Sequence, residues 1–334
     1  MLNLQAHQKV AHLPTDRPVL TIVVDTEEEF DWSKPFDRNQ VGVSSIAAQP
    51  IAHERVFDKH GVVPTYVIDW PVATTPSSVA VLKKLMDEGR CEIGTHLHPW
   101  VSPPYTEDVN TFNSYAGNLP RALEFDKLRL LTEAITNNFG RAPQVFKAGR
   151  YGVGPHTSDI LAELGYTVDA SVVPHTDMSH DGGPNFSSHG PDPFWFTARG
   201  VRLMEQPATA AYSGVLHRQG PLLHTWLQSS AGQRLRLPGI ASRLGLLERV
   251  KITPEGYTLD ELKRATRCLL ASGTRFVGLT YHSPSLEPGH TPYVRTKADL
   301  DRFLDTLDGY IHFFKQEMDG DVVSSIKYSK IIRN

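Results

Sequence analysis

The chain has few cysteines, little net charge and no long apolar run. Its two cysteines, Cys91 and Cys268, lie far apart among 334 residues, which excludes a disulfide framework and favours a reducing compartment. A formal net charge of −3 gives no overall electrostatic signature for nucleic acid or an anionic membrane surface. No apolar run approaches the ~18 residues of a membrane helix, and Met1–Lys9 lacks the apolar stretch of a signal peptide. We therefore expect a cytoplasmic protein that neither spans a membrane nor binds nucleic acid.

What the chain does have is an alternation of short apolar strands with amphipathic helices, and 40% hydrophobic residues to bury between them. The predicted strands are Val19–Asp25, Val62–Asp69, Cys91–Thr95, Gln144–Ala148, Tyr166–Val172 and Arg275–Tyr281. The predicted helices are Ile46–Lys59, Ser77–Glu88, Leu119–Phe139, His156–Leu164, Leu259–Ala271 and Thr296–Phe314. Glycines directly after five helix patterns are expected to adopt left-handed cap conformations: Gly61, Gly89, Gly140, Gly165 and Gly273. Repeated units of this size predict an α/β fold closed or nearly closed into a barrel, with its chemistry at the carboxyl ends of the strands.

One region interrupts the alternation. Residues 174–193 are rich in Gly, Pro, His, Ser and Asp, as is typical of a long loop. A strand pair, Trp195–Thr197 and Val201–Gln206, is predicted next, followed by a mixed apolar and basic segment up to about residue 250. We interpret 174–250 as an insertion that caps the site, within a single domain covering 1–334.

Two segments at strand ends carry the strongest functional signal. Asp25 and Glu27 follow the first apolar strand, and His96 and His98 follow the third. Because side chains alternate along an extended chain, each pair can point the same way. Carboxylate and neutral imidazole suit a divalent metal, zinc first and then cobalt, nickel or iron. Glu28 remains an alternative ligand to Glu27.

Two further segments complete the candidate site. Phe146–Gly154 is a glycine-rich turn after a strand, in which Arg150 or Lys147 could hold a catalytic carboxylate ionised or bind substrate. In the same turn Tyr151 could supply an oxyanion donor through its backbone amide. His282 ends a late apolar strand, where it could protonate a departing amine. His290 is a weaker alternative for that role.

The order of these motifs resembles the polysaccharide deacetylases, carbohydrate esterase family 4 with NodB homology. The resemblance covers about residues 18–315 and implies a distorted (β/α) barrel of about seven strands. It also implies removal of acetyl groups from N-acetylated or O-acetylated sugars by a metal-activated water. On this basis Asp25 would be the general base, Glu27 and the histidines the metal ligands, and His282 the general acid. Since that family spaces its histidines four apart and position 100 is Trp, His98 would serve as the second imidazole.

The resemblance implies a carbohydrate substrate, and a cytoplasmic precursor of a surface polysaccharide fits the absence of a signal peptide. Trp100 and Tyr151 are candidates for stacking on sugar rings, with Lys147 a further substrate contact. Two alternatives remain: a barrel that binds carbohydrate without turnover, and an amidohydrolase-type metal enzyme acting on another C–N bond. A homo-oligomer is compatible with the sequence.

Overall fold

The structure is a computed structural model, and it describes residues 8–9, 16–31, 33–227 and 230–333. Most of the N-terminal segment used to predict localisation lies outside these residues. In chain order, strands β1 to β12 span Gln8–Lys9, Val19–Thr26, Thr65–Ile68, Glu92–Leu97, Val145–Ala148, Val168–Asp169, Phe194–Ala198, Val201–Glu205, Ala210–Ser213, Glu248–Lys251, Phe276–His282 and Asp321–Val322. Helices α1 to α12 span Gln49–Ala52, Asp58–His60, Trp70–Thr74, Pro76–Asp87, Arg121–Phe139, Thr157–Glu163, Gly220–Leu227, Ser230–Arg234, Leu237–Arg243, Leu259–Ala271, Lys297–Gln316 and Ser325–Arg333.

Seven strands run parallel in one curved sheet, in the order β8–β6–β5–β4–β3–β2–β11. Antiparallel β7 and β1 extend the sheet beyond β8, and β12 adds to the start of β2. Between β8 and β11 the described chain closes the gap by irregular bonds, such as the Thr209 amide donating to the Gly278 carbonyl. The predicted distorted (β/α) barrel is confirmed.

The barrel interior is layered. One ring of valines from four parallel strands fills its middle: Val23, Val67, Val145 and Val168. At the amino-terminal end, Tyr328 and Ile332 of α12 pack against Val19 and Phe276. The opposite-facing residues of β2 pack outward into the main core beneath the helices. Because strand side chains alternate, the residues one layer above the valines point into the carboxyl-terminal mouth.

The predicted elements match the observed ones with informative exceptions. Helix α10 has the predicted bounds, and all five predicted cap glycines have positive φ. The helix predicted over Ile46–Lys59 is a succession of 3-10, α and π turns from Ser44 to His60. The strand predicted over Tyr166–Val172 is reduced to β6. Its ladder ends where Asp169 turns the chain by accepting hydrogen bonds from the Ser171 amide and hydroxyl.

The region predicted as an insertion is not uniform. Strands β7 and β8 belong to the main sheet, where β8 is its last parallel strand. Only β9 and β10 form a separate two-stranded sheet. Between them, residues 214–227 and 230–247 carry the helices α7, α8 and α9, and we call these residues the helical cap. No helix in the described ranges is both long and apolar enough to cross a bilayer.

Candidate active site

The strand register brings the predicted residues together. Asp25 of β2 is paired with His282 of β11, and His96 of β4 is paired with Lys147 of β5. Asp25 lies one layer above Val23 and Lys147 one layer above Val145, so both side chains enter the barrel mouth. These positions combine a carboxylate, an amine and two imidazoles at one end of the sheet.

Glu27, His96 and His98 form a compact buried cluster. The Glu27 Oε2 atom lies 3.4 Å from the Nε2 atoms of both histidines. Its other oxygen, Oε1, is buried and has no hydrogen-bond partner among the described residues. Ligands about 2.0–2.1 Å from a tetrahedral zinc ion are separated by about 3.3 Å, so this spacing fits a shared cation. The three side chains could therefore bind a metal ion.

The Nδ1 atoms of His96 and His98 both have hydrogen-bond partners. His96 Nδ1 lies 3.0 Å from the Lys147 carbonyl, and His98 Nδ1 lies 2.7 Å from Glu28 Oε2. Since these acceptors hold the proton on Nδ1, each Nε2 presents its lone pair towards Glu27. Burial also lowers the pKa of His98, which favours the neutral form required of a ligand. The donor set thus fits a divalent metal.

Asp25 is held by Lys147. The Lys147 ammonium donates to both Asp25 oxygens, at 2.6 and 2.7 Å, and to the Thr280 hydroxyl at 2.9 Å. Burial alone would raise the pKa of Asp25, but Lys147, with smaller effects of His96 and His282, lowers it below its usual value. Asp25 is therefore an ionised carboxylate at neutral pH, suited to accept a proton.

His282 lies across the mouth from the histidine pair. Its Nδ1 is 2.8 Å from Glu255 Oε2, and its Nε2 is 3.9 Å from Asp25 Oδ2. Glu255 also accepts hydrogen bonds from the His282 amide and the Ser285 hydroxyl, which fix its carboxylate. Burial would lower the pKa of His282, but Glu255, Glu27 and Asp25 together raise it to about 9. The ring is consequently protonated near neutral pH.

These groups line one cavity of about 350 Å³. Its polar floor contains Asp25, Glu27, His96, His98 and His282. Its walls are largely aromatic or apolar: Phe30, Phe36, Trp100, Tyr115, Tyr151 and Met178. The turn after β5 approaches the floor closely, since a Cβ on Gly149 would lie 2.3 Å from the His98 Cδ2 atom. The cavity therefore offers one open, mainly apolar space above the polar cluster.

Comparison with solved structures identifies this arrangement of strands. A structure from Mycobacterium smegmatis and one from Pseudomonas aeruginosa PAO1, both provisionally described as polysaccharide deacetylases, match at TM-scores of 0.54 and 0.52. Their sequence identities are 16% and 14%, with 98% of this chain and 94% and 93% of theirs aligned. The protein has the polysaccharide deacetylase fold. A structure described as Puue allantoinase also matches, at a TM-score of 0.56 and 12% identity over 97% of this chain and 93% of its own. No sequence-family model and no curated protein matches the chain.

The turn after β5 offered two cations, Arg150 and Lys147, for holding the catalytic carboxylate or binding substrate. In the structure Lys147, and not Arg150, binds Asp25. Arg150 follows the strand end at φ 54°, which turns its side chain to the cavity rim. There it donates to Asp181 at 2.8 Å and stacks on Tyr115, 4.0 Å from the ring centre. Trp100 lines the cavity, yet its indole N–H is used by Glu28 at 2.8 Å and its ring stacks on His98.

Three carboxylates near the cavity make contacts that the sequence did not indicate. Glu28, the alternative metal ligand to Glu27, accepts hydrogen bonds from His98 and Trp100, and burial raises its pKa to about 7. Asp69, at the end of β3, accepts from the Glu28 amide at 2.7 Å, and its position after an apolar strand was a readable signal. Glu255 lies in a loop with no such pattern. His290, the alternative acid, lies 3.7 Å from Glu29, outside the cavity lining.

Proposed function

We propose that the protein is a metal-dependent hydrolase that removes an acetyl group from an N-acetylated or O-acetylated sugar. This proposal rests on two titratable groups beside the Glu27, His96 and His98 cluster, whose pKa values are shifted in opposite directions. Asp25 is kept ionised by Lys147, and His282 is kept protonated by Glu255. A base and an acid with separated pKa values are what hydrolysis of an amide or ester requires.

In the proposed site Glu27, His96 and His98 hold one divalent ion, with zinc the first candidate. Such an ion supplies Lewis acidity towards the substrate carbonyl and lowers the pKa of a nearby water. Glu28 keeps His98 in the required tautomer, and Trp100 holds Glu28 in place through its indole N–H. These two residues are positioning residues, since they act on the metal site through His98.

Asp25 accepts the proton of the attacking water, because Lys147 keeps its carboxylate ionised. His282 then donates its Nε2 proton to the departing nitrogen or oxygen, and Glu255 stabilises the ring through Nδ1. The backbone amide of Tyr151, at the cavity wall, is the candidate donor to the developing oxyanion. Lys147 is thereby reassigned from a substrate contact to the orienting cation.

The cavity dimensions bear on the substrate. A space of about 350 Å³ suits a single sugar ring with its acyl group, at the small end of ligand sites. Aromatic walls of this kind can stack on the apolar face of a sugar. We accordingly propose a small N-acetylated sugar, such as a nucleotide-linked or lipid-linked precursor of a surface polysaccharide, with its N-acetylated ring in the cavity.

The test is an acetate-release assay on N-acetylated nucleotide sugars and oligosaccharides after loading with zinc, cobalt, nickel or iron. Asp25→Asn should abolish release while retaining bound metal, whereas Asp305→Asn, the same change on an exposed helix position, should have no effect. Absence of release from every substrate, in a metal-loaded protein, would contradict the proposal. So would equal activity of the Asp25→Asn variant.

A second candidate is hydrolysis of another C–N bond in a small amide. The cavity suits a small amide as well as a monosaccharide, because nothing in its floor is specific to a sugar. Allantoin belongs in the substrate panel for this reason, since one similar structure is described as an allantoinase. Turnover of allantoin without acetate release would select this second function.

A further inference from the structure

The helical cap has an unusual charge composition. No aspartate or glutamate occurs between Glu205 and Glu248, although the whole chain has 37 acidic against 34 basic residues. The cap contains four arginines, Arg218, Arg234, Arg236 and Arg243, all exposed. None of the four forms an ion pair within the part of the chain that the structure describes. The cap is therefore a locally positive segment, although the net charge of the whole chain is slightly negative.

The same segment exposes large apolar side chains. Leu222 and Trp226 of α7 are 81% and 61% exposed, and their i, i+4 spacing places them on one helix face. Leu244, directly after α9, is 66% exposed, and Val215, Leu235 and Ile240 are also exposed. The side of the cap that faces the protein buries apolar residues as usual, among them Ala241 and Leu247. Soluble monomers rarely expose so many large apolar side chains within one short segment without a binding role.

We propose that the helical cap docks on an anionic lipid bilayer surface. Short helices that combine arginine with protruding Leu and Trp, and lack acidic residues, have the composition of interfacial membrane segments. The arginines match the negative charge of anionic headgroups, while Trp226 and the leucines match the headgroup–acyl boundary. A nucleic acid would leave the leucines in water, and a second copy of the cap would oppose arginine to arginine. Charge complementarity thus favours the bilayer over a second copy, and the exposed leucines favour it over a nucleic acid.

The cap is physically linked to the mouth of the candidate site. Arg249 of β10, two residues after the cap, donates to the Pro174 carbonyl at 2.9 Å and to the Thr176 hydroxyl at 2.5 Å. Met178, two residues further along that loop, lines the cavity. A docked cap would hold the cavity mouth near the membrane surface. The docking inference itself does not depend on which bond the enzyme hydrolyses.

The experiment is cosedimentation of the full chain with phosphatidylcholine vesicles, alone or mixed roughly 2:1 with phosphatidylglycerol. Binding should be at least about tenfold tighter on the anionic vesicles and should weaken as salt rises. Leu222→Ser with Trp226→Ser should lose at least about tenfold in binding, as should serine at all four cap arginines. A Trp226→Phe variant should still bind but lose the blue shift of tryptophan fluorescence seen on vesicle addition.

Two control variants match these changes elsewhere. Val41→Ser with Val201→Ser removes exposed apolar side chains, and serine at Lys83, Arg129, Lys297 and Arg302 changes the net charge equally. Both should bind as the unaltered chain does, with thermal unfolding showing that all variants fold. Equal binding to neutral vesicles, or equal loss in the controls, would overturn the proposal. The proposal would also be overturned if the chain did not bind vesicles but formed a dimer in sedimentation velocity, and if Leu222→Ser with Trp226→Ser abolished that dimer.

Discussion

Replacing Glu255 by Gln should shift the alkaline limb of the pH–activity profile to lower pH. Glu255 is the largest of the contributions that raise the pKa of His282 to about 9, and burial opposes them. Gln keeps the size of the side chain and removes its charge. The pKa should therefore fall towards the ordinary histidine value of about 6.5.

The sign and size of the effect follow from the role of His282. A general acid must be protonated, so activity is present below its pKa and is lost as pH rises through it. At pH 8 a group with pKa 9 is about 90% protonated, and one with pKa 6.5 is about 3% protonated. Glu255→Gln should thus lower kcat/KM about 30-fold at pH 8, while the two proteins should converge below about pH 6.

The assay is kcat/KM against pH on an amide substrate, with the metal content of both proteins matched. His282 can be titrated independently by the NMR shifts of its ring. Glu248→Gln is the matched control: in the described part of the chain its carboxylate accepts from the Ser242 hydroxyl and does not contact His282, so the profile should be unchanged. An alkaline limb that stays in place in Glu255→Gln, in a folded and metal-loaded protein, would refute the assignment of His282 as the acid.

Three other changes separate the remaining roles. His98→Ala should abolish bound metal in elemental analysis together with activity, and retention of both would disprove ligation. Lys147→Met should move the acid limb to higher pH, because it removes the largest contribution that lowers the pKa of Asp25 against burial, and the base must stay ionised. An unmoved acid limb would exclude Asp25 as the base. His282→Ala should lower kcat by about 10²–10⁴ on an amide but much less on an activated aryl acetate, whose leaving group needs no proton. Equal losses on both substrates would indicate a structural role.

The sequence was sufficient to predict the barrel and most of the cavity floor. Asp25, Glu27, His96, His98 and His282 all lie at strand ends, and strand alternation determines which way a side chain points. That reasoning also applies to Lys147, which shares a strand face with Val145. The choice between Lys147 and Arg150 stayed open because Arg150 lies outside the strand, and its left-handed backbone leaves no pattern in the sequence.

Features that depend on distant contacts were harder to predict. Glu255 reaches His282 from a loop, and neither its neighbours nor its spacing indicates a site. Strands β9 and β10 pair with each other across the helical cap, so the hydrogen bonds that define them are between residues far apart in sequence. Short strands of this kind have weak local signals, because their stability comes from the partner strand and the packing around it.

The pairing of β2 with β11 also has a consequence for folding kinetics. The two strands join the first and last parts of the barrel. The Glu27 amide also donates a hydrogen bond to the hydroxyl of Ser283, which lies 256 positions later in the chain. Contacts of such sequence separation form slowly, because the loop between them must be ordered first. Asp25 and His282 therefore meet only when the barrel closes. Recovery of activity during refolding should lag behind recovery of helical circular dichroism, which makes catalysis a reporter of the final closure step.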